Sequence, residues 1–221
     1  MKKYYEAYDN RYKTIHEKGM SWSSDIPTPL IIKIIKRLKI SNDLPILEIG
    51  CGEGRDSIAV IKNGYNLLAT DVSQEAINYC KQKYSEYKDR FAVLDCLKDE
   101  HKEKYSFIFS VAVIHMLILD EDRKKFYEFI FKHLDKNGKT LILSMGDGET
   151  EFHTDINEAF LEKERNHVSG KVKVAATSCR MTSMENFEKE VRNAGLKIIE
   201  KGMTESLPDF NQMLYILAEK E

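Results

Sequence analysis

From Pro45 onward the chain alternates short apolar runs with longer amphipathic stretches. The apolar runs are Ile46–Ile49, Tyr65–Thr70, Phe91–Leu94, Tyr105–Val111 and Thr140–Met145. Between them, helical spacing appears over Arg55–Lys62, Ser73–Tyr84 and Glu121–Leu134. Strand-then-helix alternation at this spacing predicts βαβ units around a mostly parallel sheet. Some boundaries carry their own punctuation. Ser73, followed by Gln74 and Glu75, suits a helix start, and Asn63-Gly64 and Asn137-Gly138 suit helix ends where a left-handed residue is needed.

The two ends of the sequence read differently. Residues 3–18 and 28–39 predict two helices joined by a loop that holds the only tryptophan, Trp22. Pro27 and Pro29 fit the start of the second, because a first-turn residue has no intrahelical use for its N–H. Gly146 to Ser183 is polar and is expected to be irregular. Met184–Ala194 then predicts a helix closed by Gly195, and Leu196–Lys201 and Gln212–Glu219 predict two strands separated by Pro208-Asp209. The expected architecture is one doubly wound α/β domain with an N-terminal helical extension and an insertion near residue 150.

Composition narrows the function classes. With 221 residues, 42% hydrophobic and 32% charged, the chain has enough apolar material for one substantial core. Lys+Arg 34 against Asp+Glu 36 leaves a net charge of -2, without the basic excess that phosphate-backbone binding uses. Nucleic acid is therefore not the expected partner. Cys51, Cys80, Cys96 and Cys179 form no CxxC pair, so no zinc or redox motif is suggested. The first residues lack the apolar core of a signal peptide, and Phe107–Leu119 is too short to span a bilayer. A soluble, cytoplasmic chain without a membrane partner is the expectation.

The chemistry starts at Ile46-Leu47-Glu48-Ile49-Gly50-Cys51-Gly52-Glu53-Gly54-Arg55-Asp56, a strand running through a glycine turn into a helix. Glycines there allow a sharp bend and close ligand approach, and the helix start offers unpaired N–H groups. A dinucleotide site would want its third glycine where Arg55 stands. Glu48, at the strand's carboxyl end, would repel a pyrophosphate but suits a ligand bearing an ammonium and a sulfonium. Both points disfavour a nicotinamide dehydrogenase. Asp71 ends the next strand, about 20 residues on, where an acid can accept both hydroxyls of a ribose.

Together these residues resemble the class I S-adenosylmethionine (SAM)-dependent methyltransferase family, over about Pro45 to Glu219. Glu48 to Gly54 is similar to the family's first motif and Asp71 to its second. Asp95-Cys96 resembles the acid-bearing pair that meets the adenine amino group, and Tyr105 to Leu117 the fourth strand and the loop after it. The resemblance implies a Rossmann-like seven-stranded sheet with its last strand antiparallel, and SAM as cofactor. The implied cofactor residues are Glu48, Gly50, Cys51, Gly52, Asp71, Val72, Asp95, Cys96 and Val111. Outside the stretch of resemblance, Arg11 would reach the methionine carboxylate if the N-terminal extension folds over the crevice. Residues 1–40 would form a helical lid and residues 146–182 a substrate-side insertion.

The implied reaction is in-line methyl transfer to a small-molecule acceptor, with no metal. His115, just past the fourth strand, is the candidate general base, or else a packing or cofactor-contact histidine. Trp22, His153 and Arg180 are candidate acceptor-side residues, and His167 lies in the same insertion. Tyr4, Tyr5, Tyr8 and Tyr12 recur at helical spacing, as the buried face of a helix or as a wall of the pocket. Gly54-Arg55-Asp56-Ser57 and the Trp22 region resemble, more narrowly, the tellurite-resistance and thiopurine methyltransferases, which act on small, soft nucleophiles. In the plainer reading Asp56 complements the helix dipole and Arg55 points outward. Three alternatives stand beside the small-molecule reading. They are a non-catalytic SAM-binding regulator, a protein methyltransferase and a nucleic-acid methyltransferase, and Val111-Ala112-Val113-Ile114 lacks the Asn/Asp-Pro-Pro-aromatic signature of base modifiers.

Overall fold

A computed structural model describes residues 3–167, 170–207 and 211–220. A short 3-10 turn, Tyr4–Glu6, leads into α1 (Ala7–His16), and α2 (Pro29–Arg37) opens with its proline in the first turn. The βαβ region follows as β1 (Ile46–Ile49), α3 (Arg55–Lys62), β2 (Leu67–Asp71), α4 (Gln74–Lys83), β3 (Phe91–Val93), β4 (Tyr105–Val111), α5 (Asp120–His133) and β5 (Leu134–Met145). Ser73 caps α4 by accepting the Ala76 N–H, and Gly64, at φ +87°, follows the end of α3.

The insertion is more regular than its polar sequence predicts. It contains β6 (Phe152–His153) and β9 (Arg180–Met181), paired antiparallel, and a hairpin of β7 (Glu162–His167) and β8 (Gly170–Ala175). The signal was weak because every residue of β7 is polar. On β8 only Val172 and Val174 alternate inward, and they pack with Ile15 of α1. The chain then returns through α6 (Met184–Asn193), β10 (Leu196–Met203) and β11 (Met213–Lys220). Pro208-Asp209 lies outside the described residues.

The strands form one seven-stranded sheet in the order β10-β11-β5-β4-β1-β2-β3. β1 pairs parallel with β2 and β4, while β11 runs antiparallel to both β5 and β10. Core residues cover both faces. Ile46, Phe107 and Leu141 meet Ile34 and Val60 on one side, and Leu47, Ile108 and Ile142 meet Phe126 and Phe187 on the other. The expected doubly wound fold is present, with its switch point between β1 and β4. Ligands of open α/β sheets sit at such a point, outside the carboxyl ends of the strands.

Asn137-Gly138 does not end a helix. α5 stops at His133, and residues 134–145 are strand throughout. Between Tyr105 and Phe107 the β4–β5 register jumps from Leu134 to Lys139, so β5 bulges. A Cβ on Gly138 would stand 2.9 Å from both the Asp135 nitrogen and the Tyr105 oxygen, so the glycine serves close approach at the bulge.

Candidate active site

The glycine turn leaves β1 at the switch point. Gly50 and Cys51 donate their N–H groups to the Thr70 carbonyl (2.7 and 2.8 Å), and Gly52 donates to Asp71 Oδ2 (2.8 Å). Gly50 sits at φ +76° and Gly52 at φ +53°, the left-handed region that a side chain disfavours. Each is also pressed from outside. An added Cβ would lie 2.2 Å from Val113 Cγ2 at Gly50 and 2.7 Å from the Tyr12 hydroxyl at Gly52. The backbone here threads between the β4 loop and α1 with no room for a side chain.

Three acids stand at or just past the ends of β1, β2 and β3, and all face one cavity of about 310 Å³. Glu48 is 1% exposed and accepts a hydrogen bond from the Ser57 hydroxyl. Burial, with Asp56 close by, pushes its pKa up to about 8. Asp71 is also raised by burial, while the Ser73 and Gly52 N–H groups pull the other way. Asp95 accepts from the Leu97 N–H, the Tyr5 hydroxyl (3.1 Å) and the Lys98 ammonium (2.9 Å).

The N-terminal segment forms the facing wall. Tyr5, Tyr8, Arg11, Tyr12 and Trp22 all line the cavity, so three of the four stripe tyrosines are both buried and pocket wall, while Tyr4 is buried away from it with its hydroxyl on Asp122. Arg11 is 6% exposed, lies 4.5 Å from the Trp22 ring and 5.0 Å from the Tyr8 ring, and donates to the Ala175 and Ala176 carbonyls and the Thr177 hydroxyl. Its Nε and Nη2 make these bonds, and Nη1 makes none of them.

The sequence reading missed what holds this wall down. Glu53, inside the glycine turn, accepts the Trp22 N–H (2.7 Å), the Ser23 N–H (2.8 Å) and the Ser23 hydroxyl (2.8 Å), and meets His16 Nε2 at 2.9 Å. Its place between two glycines was the one available sign.

His115 lies on a 3-10 turn, Ile114–Met116, after β4 and lines the cavity at 3% exposure. Its Nδ1 is buried without a partner. Burial, then the positive charges of Arg123 and Arg11, push its pKa down to about 3. Arg123 holds the turn from beneath, donating to the Ile114 and Leu117 carbonyls while pairing with both oxygens of Glu190 on α6.

Of the predicted residues, Glu48, Gly50, Cys51, Gly52, Asp71, Val72, Asp95, Cys96, Val111, Arg11, Trp22 and His115 converge on this cavity. His153 and Arg180 do not line it. They face each other across the β6–β9 pair, where His153 is exposed and Arg180 is spent on the Ile118 carbonyl and Asp120. Arg55 does not point outward either. It is buried against Asp56 (3.0 Å), and Asp56 also accepts the Thr28 N–H and hydroxyl that begin α2. Within Gly54 to Ser57, Asp56 organises Thr28 and Ser57 serves Glu48, while Arg55 and Asp56 also line the cavity. Asp56→Ala is expected to cost about 3 kcal/mol of stability, as breaking a buried ion pair does, and urea unfolding measures it.

The comparisons agree with this geometry. Residues 47–140 match the family model described as a methyltransferase domain. That span runs from β1 into β5 and carries the glycine turn and all three acids. Juvenile hormone acid O-methyltransferase of Bombyx mori is 27% identical over 108 residues, 46% of this chain and 38% of that protein. The match thus spans about two-fifths of the length of that relative. An S-adenosylmethionine-dependent methyltransferase from Clostridium acetobutylicum superposes with a TM-score of 0.66 at 19% identity, over 86% of this chain and 89% of that one. The Burkholderia thailandensis 1,6-didemethyltoxoflavin-N1-methyltransferase, crystallised with 1,6-didemethyltoxoflavin and S-adenosylhomocysteine, superposes with a TM-score of 0.72 at 12% identity, over 97% and 87%. At these identities the two structures share the fold with this chain. Among the described residues no three His, Cys, Asp or Glu side chains gather as metal ligands, and no helix is long and apolar enough to cross a membrane.

Proposed function

We propose that this protein transfers a methyl group from SAM to a small-molecule acceptor. The observation that carries the reading is the convergence of Glu48, Asp71 and Asp95 with the glycine turn on one cavity at the sheet's switch point. The bare backbone of the glycine turn at Gly50 and Gly52, which line the cavity and have no room for a side chain, and a buried acid beside it suit this cofactor. Glu48 would face the ammonium end, Asp71 the ribose hydroxyls, and Asp95 with Cys96 the adenine. Val72 and Val111 would supply apolar contact, and Arg11 would turn Nη1 to the carboxylate. When bound, SAM supplies an electrophilic methyl group on a sulfonium, and the protein's work is to hold an acceptor in line with it.

The acceptor side is built from Trp22, Tyr8, Met116 and His115. With its pKa pushed to about 3, His115 is a weak base at neutral pH, so removal of a tightly held proton does not suit it. It suits a hydrogen bond that orients an acceptor already presenting a lone pair, the neutral ring donating its N–H to an anion or accepting from an acceptor's own N–H. A thiolate, a carboxylate or a neutral nitrogen would serve, in keeping with the soft-nucleophile resemblance and with the small molecules named for the relatives. His115→Ala is expected to lower turnover about 10²-fold, the size of a misplaced reactant, while leaving SAM affinity intact. The wild-type kcat profile should show no His115 inflection between about pH 5 and 8.

Calorimetric titration of SAM and S-adenosylhomocysteine (SAH), with NAD as control, tests the central reading. Micromolar binding of the first two and none of NAD is the expected result, and no binding of either adenosyl compound would sink it.

A further inference from the structure

The last residue of α1 is His16, and its ring is gripped by two other elements. Nε2 lies 2.9 Å from Glu53 Oε1 in the glycine turn, and Nδ1 lies 2.9 Å from Glu75 Oε1 in the first turn of α4. A neutral imidazole carries one N–H and one acceptor nitrogen, so it can satisfy a single carboxylate. Carboxylates against both nitrogens are the contacts of an imidazolium. The ring also stacks on Tyr79 (centroids 4.2 Å apart, planes 13°) and on Tyr12 (5.9 Å, 23°).

Glu53 is the same carboxylate that holds the Trp22 and Ser23 amides. The His16 ring therefore ties α1, the Trp22 loop, the glycine turn and α4 at one point. Tyr12 and Trp22, on either side of it in sequence, both line the cavity.

We infer that His16, in its doubly protonated form, is a positioning residue that clamps the N-terminal wall onto the cofactor turn. This rests on the reading of the cavity as a SAM site. The groups around the ring are Glu53 of the turn, Glu75, Tyr79 and Lys83 of α4, and Tyr12 and Asp9 of α1. Lys83 is paired with Asp25 and meets the Tyr79 ring rather than His16, and Asp9 is spent on Ser73 and the Glu75 N–H, so the acids dominate. Burial alone would lower the ring's pKa, and the bonds to Glu53 and Glu75 outweigh it and leave it raised. The clamped form thus takes up a proton that the open form holds less firmly. The advantage is complete below the ordinary histidine pKa, about 6.5, and is lost as pH rises through the raised value.

The test is SAH affinity, by calorimetry on the full chain from about pH 6 to 9, for the wild type, His16→Gln and His16→Arg. SAH avoids the alkaline lability of the sulfonium. Glu48 titrates in the same range, and its contribution is common to all three proteins. Relative to His16→Arg, wild-type affinity is expected to fall with rising pH, by at most about tenfold per unit for one proton. His16→Arg, cationic throughout, should stay tight at pH 9, and His16→Gln should be weak already at pH 6. The same affinity and slope in all three proteins would overturn the clamp.

Absence of SAH binding by the wild type at every pH would overturn the cofactor reading instead. Limited proteolysis of residues 3–23 then decides the clamp separately. Cleavage that sets in with rising pH in the wild type but not in His16→Arg supports it, and identical cleavage in the three proteins refutes it.

Discussion

An alanine at position 50 is expected to destroy cofactor binding while leaving the sheet assembled. The residue sits at φ +76°, where a Cβ costs roughly 1–2 kcal/mol. That Cβ would also come within 2.2 Å of Val113 Cγ2, on a β-branched side chain with little rotamer freedom. Overpacking of this kind adds about 1–3 kcal/mol. The turn escapes only by giving up the Gly50 and Cys51 bonds to the Thr70 carbonyl, which moves the whole cradle. We expect a stability loss of about 2–4 kcal/mol in urea and an SAH affinity at least about 100-fold weaker. Val113→Ala removes the clashing methyl, so the double variant should regain the packing part and keep the backbone part. Wild-type affinity in the single variant would mean that the turn does not contact the cofactor.

The second large effect belongs to Glu48. Its pKa of about 8 in the cofactor-free fold lies above the ordinary carboxyl value of 4.5, because burial favours the neutral acid. The folded protein therefore holds a proton that the unfolded chain has released between those two values. Stability from this source is complete below about pH 4.5 and is lost as pH rises through about 8. Glu48→Gln mimics the protonated acid, so it should remove that slope and make the cofactor-free protein more stable than wild type at pH 8. Ligand binding should show the opposite. A cation brought to Glu48 favours the carboxylate, so SAM binding at pH 7 is expected to release up to one proton. Titration in two buffers of different ionisation enthalpy measures this. The Gln variant should release none and bind SAM about 10–100-fold more weakly, the worth of one charge-assisted hydrogen bond. Equal proton release in both proteins would remove Glu48 from the ammonium site.

Much of this site was legible because its chemistry is tied to local backbone geometry. A glycine turn after a buried strand, and acids at successive strand ends, are dictated by the fold, so Glu48, Asp71 and Asp95 could be placed from the sequence. β1 and β4 matched their apolar runs residue for residue. The failures share a cause in long-range pairing. The inward turn of Arg55 depends on Asp56 meeting Thr28, which is 28 residues away. Arg180 is taken up by residues near position 119, some 60 positions back. His16, Glu53 and Glu75 look like ordinary surface residues until the fold brings them together. β7 carries no alternation to read, because both of its faces are wet.

The cavity also divides by origin. Its lining carboxylates come from the strand ends, the glycine turn and α3, whereas its aromatic wall, Tyr5, Tyr8, Tyr12 and Trp22, comes from the first 22 residues. Under the proposed function this division is not one of donor against acceptor, because Arg11 of the wall would serve SAM while His115 and Met116 of the β4 loop would serve the acceptor. A graft of the N-terminal wall from another protein of this fold would change the aromatic contacts and would have to keep an arginine at position 11. Glu53 is the joint between the halves, so such a graft must bring its own histidine at position 16 and free amides at 22 and 23, or the new wall will not seat.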